Sequence, residues 1–218
     1  MVVVHASAAA YNIILMSRIT GPKARLCRKF GMNLFDSPKY DKALAKRNFP
    51  PGVHGKARFS KKSEFGKQLV EKQKIRIIYG ITERVCGNYF AEASRKKDET
   101  GTAFLRLLES RLDNVAFRAG LARTRMGARQ LVSHGHLKLN GRRVNIPSIQ
   151  VKPGDHMAVR EKSMTSPLFS EVGKGKKLIP AWIKVDPAKK AVEVVRLPEN
   201  NELEQSVDIQ AVIGFYSK

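Results

Sequence analysis

The chain is 218 residues long and 42% hydrophobic, with 41 Lys and Arg against 19 Asp and Glu, for a formal net charge of +22 and an isoelectric point near 10.3. That length is enough for one large domain or two small ones with real cores, and that apolar fraction excludes wholesale disorder. Two cysteines, Cys27 and Cys86, exclude a disulfide framework and fit a reducing, cytoplasmic context, and no apolar run approaches the roughly 18 residues of a membrane span.

The positive excess is placed unevenly. Arg18 to Arg76 holds 17 basic and 4 acidic residues, Ile77 to Ser110 holds 5 of each, Arg111 to Arg143 holds 8 against 1, and Lys162 onward holds 9 against 7. A charge that served only solubility would be spread out and mixed in sign. Two cationic blocks joined by near-neutral structure describe two binding surfaces, and the partners such a charge fits are a polyphosphate polymer or an anionic membrane surface.

In chain order, the first fifteen residues, MVVVHASAAAYNIIL, carry no charge. A signal peptide would need a basic start and a small-residue cluster after the apolar run, whereas Ala6 to Ala10 precede Ile13 to Met16. Residues 1–15 therefore read as a disordered extension or an upstream start, with Met16-Ser17-Arg18 as the effective beginning. From Arg18 to about Ser60 turn formers dominate (Gly21-Pro22, Asp36-Ser37-Pro38, Pro50-Pro51-Gly52), which predicts short helices and loops. From Ser63 the spacing of Phe65, Leu69 and Ile75 to Ile78 predicts a helix that stops at Gly80. Thr82 then caps a second helix reaching roughly Lys97, and Leu105, Leu108, Leu112 and Val115 keep a helical period in a third that starts at Gly101-Thr102. Residues 16–107 thus form a basic, mostly helical lobe.

The stretch Arg111 to Val144 is the most informative. Thr124 caps a short helix from Arg125 to His134, with Ala128, Leu131 and Val132 buried and Gly135 in the left-handed position after it. The segment His136 to Val144 alternates about Asn140-Gly141, a strong short hairpin signal. Met157 to Arg160 is a further strand, and Trp182 to Val185 with Ala191 to Val195 forms a second hairpin across Asp186-Pro187. The fold class is α+β: a mostly helical N-terminal lobe, then short helices followed by a small antiparallel sheet (residues 108–171), then a C-terminal hairpin and tail (172–218) packing on both lobes.

Positive side chains on this frame suit RNA. A-form helices hide their base edges in a deep, narrow major groove, so proteins read backbone contour and 2′-hydroxyls with cations at fixed spacing. Arg125 and Arg129 are i, i+4 neighbours, Arg142 and Arg143 follow the hairpin turn, and Arg111 and Arg118 come from the preceding helix.

The residues Arg111-Leu112-Asp113-Asn114, Arg129 to His134 and Asn140-Gly141-Arg142 resemble the αL-type RNA-binding module of bacterial small-subunit ribosomal protein S4. Gly21-Pro22-Lys23, Pro51 to Gly55, Gln73 to Gly80 and Tyr216-Ser217-Lys218 extend that resemblance over Met16 to Lys218. It implies a non-enzymatic primary binder of small-subunit ribosomal RNA, docked on a multi-helix junction of the 5′ domain. It also implies a role in nucleating assembly of the subunit body, a place at the mRNA entrance, and contact with a neighbouring ribosomal protein whose interface affects decoding accuracy. Some members carry a four-cysteine zinc site near the N-terminus. Here only Cys27 stands in that region, so the chain resembles the zinc-free form, with no cofactor, metal, membrane or small-molecule partner expected.

The residues expected to contact RNA are Lys23, Arg25, Arg28, Lys29, Arg47, His54, Lys67, Lys72, Lys74, Arg76, Arg111, Arg118, Arg123, Arg125, Arg129, Lys138, Arg142 and Arg143. By position, Lys56, Arg58, Lys61 and Lys62 fall where the family's entrance-facing basic loop lies. His54 is either a loop anchor or an RNA contact. Asp113 is read as orienting Arg111 or a backbone amide, against the alternative of a catalytic aspartate as in pseudouridine synthases, some of which carry this module. A free RNA-binding regulator or chaperone is a third reading. His134 and His136 lack further ligands at metal spacing, and Trp182, Cys27 and Cys86 are read as packing residues.

Overall fold

The structure is a computed structural model that describes residues 19, 21–56, 63–169 and 179–217. The expected extension over residues 1–15 lies outside the described residues, as do Arg58, Lys61, Lys62 and Lys218. Among the described residues the α-helices are α1 (Lys23–Phe30), α2 (Pro38–Lys46), α3 (Glu64–Tyr79), α4 (Glu83–Ala93), α5 (Thr100–Glu109), α6 (Leu112–Arg118), α7 (Arg125–Ser133), α8 (Glu161–Met164) and α9 (Ile209–Tyr216). The strands are β1 (Leu137–Leu139), β2 (Arg142–Val144), β3 (His156–Val159), β4 (Ile183–Asp186) and β5 (Ala191–Val194). This is the α+β architecture the sequence predicts. None of the described helices is long and apolar enough to cross a membrane.

The chain divides into two compact units, one of residues up to Ala91 together with Val207 onward, the other of Glu92–Ser206. In the first unit, Ser63 caps α3 by accepting from the Gly66 amide at 3.2 Å, and Gly80 ends it at φ 62°. Thr82 Oγ1 accepts from the Val85 amide at 3.3 Å to start α4, which stops at Ala93, one turn short of the expected end. The C-terminal helix α9 packs on α3. Its Phe215 ring lies 5.6 Å from that of Phe65, and a Cβ on Gly214 would stand 2.9 Å from Gln68 Nε2, so only glycine permits that approach without a shift. Ile75, Ile78, Tyr79, Cys86 and Val212 are buried in this unit.

The second unit holds one five-stranded antiparallel sheet in the order β2-β1-β3-β5-β4. The hairpin expected at 182–195 is therefore not a separate appendage; β5 pairs with β3 and extends the module's sheet. Leu137, Met157, Val159, Val192, Val194 and Ile183 form a core with Leu112, Val115, Phe117, Leu121, Ala128, Leu131 and Val132 of the helical layer, and Trp182 is buried among them. One expectation fails at the layer's start. The helix predicted through Leu105 to Val115 is broken at Ser110–Arg111, where Arg111 turns extended (ψ 138°). Residues 147–151 dock at the break and take its backbone bonds: Leu112 donates to Ile149, Asp113 to Pro147, and Val151 to Ser110, at 2.8–3.2 Å. Asn114 Nδ2 donates to the Glu109 carbonyl at 3.0 Å, satisfying an acceptor left over at the end of α5.

Candidate nucleic-acid interface

Three local devices set the frame of the module. Thr124 Oγ1 accepts from the Gly127 amide at 3.1 Å and fixes the start of α7. At its end, Gly135 sits at φ 69°, its amide donates to Val132 (2.8 Å), and the His136 amide donates to Leu131 (3.1 Å), the paired bonds of a left-handed helix stop. Asn140 and Gly141, at φ 49° and 80°, then make a two-residue hairpin turn between β1 and β2. The Asn140 side chain also accepts from the His156 amide and donates to Asp155, both at 2.8 Å, which ties the turn to β3.

Within this frame, three of the arginines expected to contact RNA turn inward. Arg111 is 2% exposed and grips Asp113 with Nε (3.0 Å) and Nη2 (2.8 Å). Arg118 reaches the buried Glu109 carboxylate at 3.0 and 2.7 Å, and Glu204 at 3.5 Å. Arg125 lies 4.6 Å over the Phe117 ring, donates to Asn114 Oδ1 at 3.1 Å, and pairs with Glu204 at 3.0 Å. Arg111 turns to its near neighbour Asp113, while for Arg118 and Arg125 the fold brings in Glu109 and Glu204 from outside the Arg111–Arg143 stretch. An unanswered guanidinium at these depths would be costly, so these arginines have a structural task whatever else they touch.

The outward set is Arg123, Arg142 and Arg143, all exposed, with Arg129 and Lys138 half-buried. Arg129 leans to within 3.7 Å of Asp113, so the pair Arg125 and Arg129 faces α6 as well as solvent. Strand alternation separates Arg142 and Arg143 onto opposite faces of β2, and the register sets Arg143 directly across from Lys138. Lys138 is answered by Glu161 at 2.7 Å, and that bond holds the Glu161 carboxyl below the usual range. The Arg143 guanidinium lies against Gly135, where an added Cβ would come within 2.5 Å of its Nε.

The first unit shows the same division. Lys72 and Arg76 are buried and share Glu83 at 2.8 and 3.1 Å, while Tyr216 donates to the same carboxylate at 2.9 Å. Burial alone would raise the Glu83 pKa, but the hydrogen bonds from Lys72 and Tyr216 and the two cationic charges hold it below 4.5. Burial pushes the adjacent Cys86 thiol up to about 11, consistent with a packing residue. Lys74 pairs with Glu71 at 2.6 Å, and Arg28 pins the following loop through the carbonyls of Phe49 (2.9 Å) and Pro50 (3.2 Å). Arg25, Lys29, Arg47, His54, Lys56 and Lys67 are exposed, and Lys23 is half-buried over the Phe35 ring. Lys67 has an exposed partner in Glu64 at 3.2 Å.

Other side chains on the module surface were passed over by the sequence reading. Arg160 donates to the Gly135 carbonyl at 3.3 Å, and Lys152 and Lys162 are exposed. Their signal was present, since each is a cation at a strand end or turn, but it lay outside the densest basic run. Asp113 is 5% exposed with both oxygens committed to Arg111, which leaves it an orienting residue with no open path to a nucleobase. Trp182 is 1% exposed, and its indole N–H finds no acceptor among the described residues, so it is core and no stacking platform.

Comparison with known proteins accords with this geometry. The family model described as the ribosomal protein S4/S9 N-terminal domain matches residues 18–109, and the S4 domain matches residues 110–156, the two meeting at the break between α5 and α6. The small ribosomal subunit protein uS4 of Thermus thermophilus is 48% identical over 212 residues, covering 93% of this chain and 100% of that protein. The uS4 proteins of Borrelia recurrentis and Borrelia hermsii are 45% and 46% identical over 206 residues, covering 93% of this chain and 99% of each. A chain that carries both family domains in order, and matches these relatives over nearly their whole length, belongs to the uS4 family of small ribosomal subunit proteins.

Proposed function

We infer that the chain is a structural, non-enzymatic constituent of the small ribosomal subunit, ribosome-bound in the cytoplasm, that binds small-subunit ribosomal RNA directly. The observation that carries this reading is how the module spends its acids. Asp113, Glu109 and Glu204 are engaged by inward arginines, so the exposed cations of β2, Arg142 and Arg143, act with little local compensation. Such a surface attracts phosphates, and its rigid strand and helix ends fix their spacing.

In the finer form of this reading the protein docks on a multi-helix junction of the 5′ domain, with residues 16–107 and 108–171 each supplying a basic surface, and nucleates assembly of the subunit body. Lys56, exposed beside Phe49, together with Arg58, Lys61 and Lys62, lines the mRNA entrance. A neighbouring ribosomal protein shares an interface that tunes decoding accuracy. The test is a filter-binding titration of the purified protein against the isolated junction and against an unrelated duplex of equal length. Preference for the junction at physiological ionic strength is expected; equal affinity would overturn the reading. Sedimentation separates the alternative of a free RNA regulator: recovery with small subunits through high-salt gradients is expected, and recovery only in the free fraction would favour the regulator.

A further inference from the structure

A groove in the second unit runs beside α7 and the turn after α8. Leu121 and Leu131 form a buried floor, and Leu168 closes one lip with 60% of its surface exposed. Gln130 and His134 stand exposed at the mouth, where Arg123 also lines the wall, and no acidic residue contributes to the lining. The space measures about 240 Å³, room for several waters at about 30 Å³ each and so for a planar ring rather than a single ion. One wall is held stiff, because His136 Nδ1 is 3.0 Å from Ser163 Oγ and its ring meets Phe169 edge-on at 6.2 Å. Just beyond the rim, Arg143 and Arg160 both lie against Gly135.

We propose that this groove receives an unstacked nucleobase of a folded RNA, with the adjoining phosphates held by the cationic rim. The inference rests on the reading of the chain as a binder of ribosomal RNA and assigns a role to a surface that reading leaves idle. An apolar floor with a cationic rim is complementary to a nucleotide, which joins an apolar ring face to an anionic tether. Proteins recognise RNA sequence mainly at unpaired bases splayed from the helix and stacked on aromatic or imidazole rings or on guanidinium planes, and His134, His136 and Arg123 line this groove. The Gln130 amide supplies both a donor and an acceptor for a base edge. Exposed Leu168, which water would solvate poorly, is covered when the base enters.

The experiment uses the full chain and a panel of 5′-domain junction RNAs, each with one unpaired nucleotide made abasic. Wild-type protein is expected to lose about tenfold in affinity at one abasic position, with its salt slope unchanged because the phosphates remain. Leu168→Ala and Gln130→Ala, both at exposed positions, should weaken binding to the intact junction and show no further loss at that position. If wild type binds the intact junction but no abasic position is singled out, or the loss persists in full in both variants, the groove holds no base. If wild type fails to prefer the junction over a duplex, the parent reading fails instead, and this inference with it.

Discussion

The two units handle buried cations differently. In the module Asp113 grips Arg111 and Glu109 grips Arg118 with two bonds each, and Arg125 divides its bonds between Asn114 and Glu204. In the first unit one carboxylate, Glu83, serves Lys72, Arg76 and Tyr216 together, and 46% of its side chain remains exposed. The module thus divides its inward arginines among three acids, with Arg118 and Arg125 both reaching Glu204, while in the first unit the buried cations that meet α9 share a single, partly wet acid. Net charge per segment does not distinguish these cases. What matters is which cations have been given a partner by the fold, because those report on stability and the remainder on affinity.

The largest effect that follows is at Asp113. Asp113→Ala removes the carboxylate that the Arg111 guanidinium grips with two bonds at 2% exposure, and loss of one partner of a buried pair costs about 3–5 kcal/mol. Urea unfolding should show that loss with no RNA present; a change below about 1 kcal/mol, the size of an ordinary surface pair, would mean Arg111 finds other partners and the contrast with the first unit is wrong. Next comes Arg125→Ala, which removes bonds to Asn114 and Glu204 and the contact with Phe117. A cost of about 1–3 kcal/mol is expected, alongside any loss of RNA affinity. An RNA defect at full stability would instead assign Arg125 to the outward set.

A smaller effect in the first unit is read by pH. The Glu83 carboxyl is held below its ordinary value of 4.5, so its contribution is fully present above that pH and is lost as pH falls through the lower folded value. Glu83→Gln should remove that portion of the acid sensitivity of unfolding, and the change should be modest because solvent screens a half-exposed acid. Unaltered acid dependence in the variant would move the anchor of α9 to its apolar contacts, such as Phe65 with Phe215.

The parts of this molecule legible in the sequence are those fixed within a few residues. The Thr124 cap, the Gly135 stop and the Asn140-Gly141 turn each depend on local chemistry, and each stands where the sequence places it. The break at Ser110–Arg111 was not legible, because its cause is the docking of residues 147–151 some forty positions later. For Arg118 and Arg125 the inward direction was hidden for the same reason, whereas Arg111 meets Asp113 only two residues on. Nothing beside Arg118 in the sequence announces that Glu204, 86 positions away, closes its site. Strand pairing of β3 with β5 is equally non-local, which is why the second hairpin read as a separate element. The basic surface was legible as a quantity and a region, but its sorting into inward and outward side chains required the fold.

The least effect on stability, and the clearest on binding, is expected at β2. Arg142 and Arg143 are exposed, so Arg142→Ala and Arg143→Ala should each leave the unfolding midpoint within about 0.5 kcal/mol of wild type. Each lost phosphate contact lowers the salt slope of RNA binding by roughly 0.7 to 0.9. Because the strand places the two side chains on opposite faces, they cannot grip the same phosphate from one side, and the double variant should lose about twice the slope of either single one. A double variant no worse than the single ones would mean that both arginines bend round the edge of β2 to one phosphate. The outward set would then be one contact fewer, and Arg123 and Lys138 would have to carry the difference.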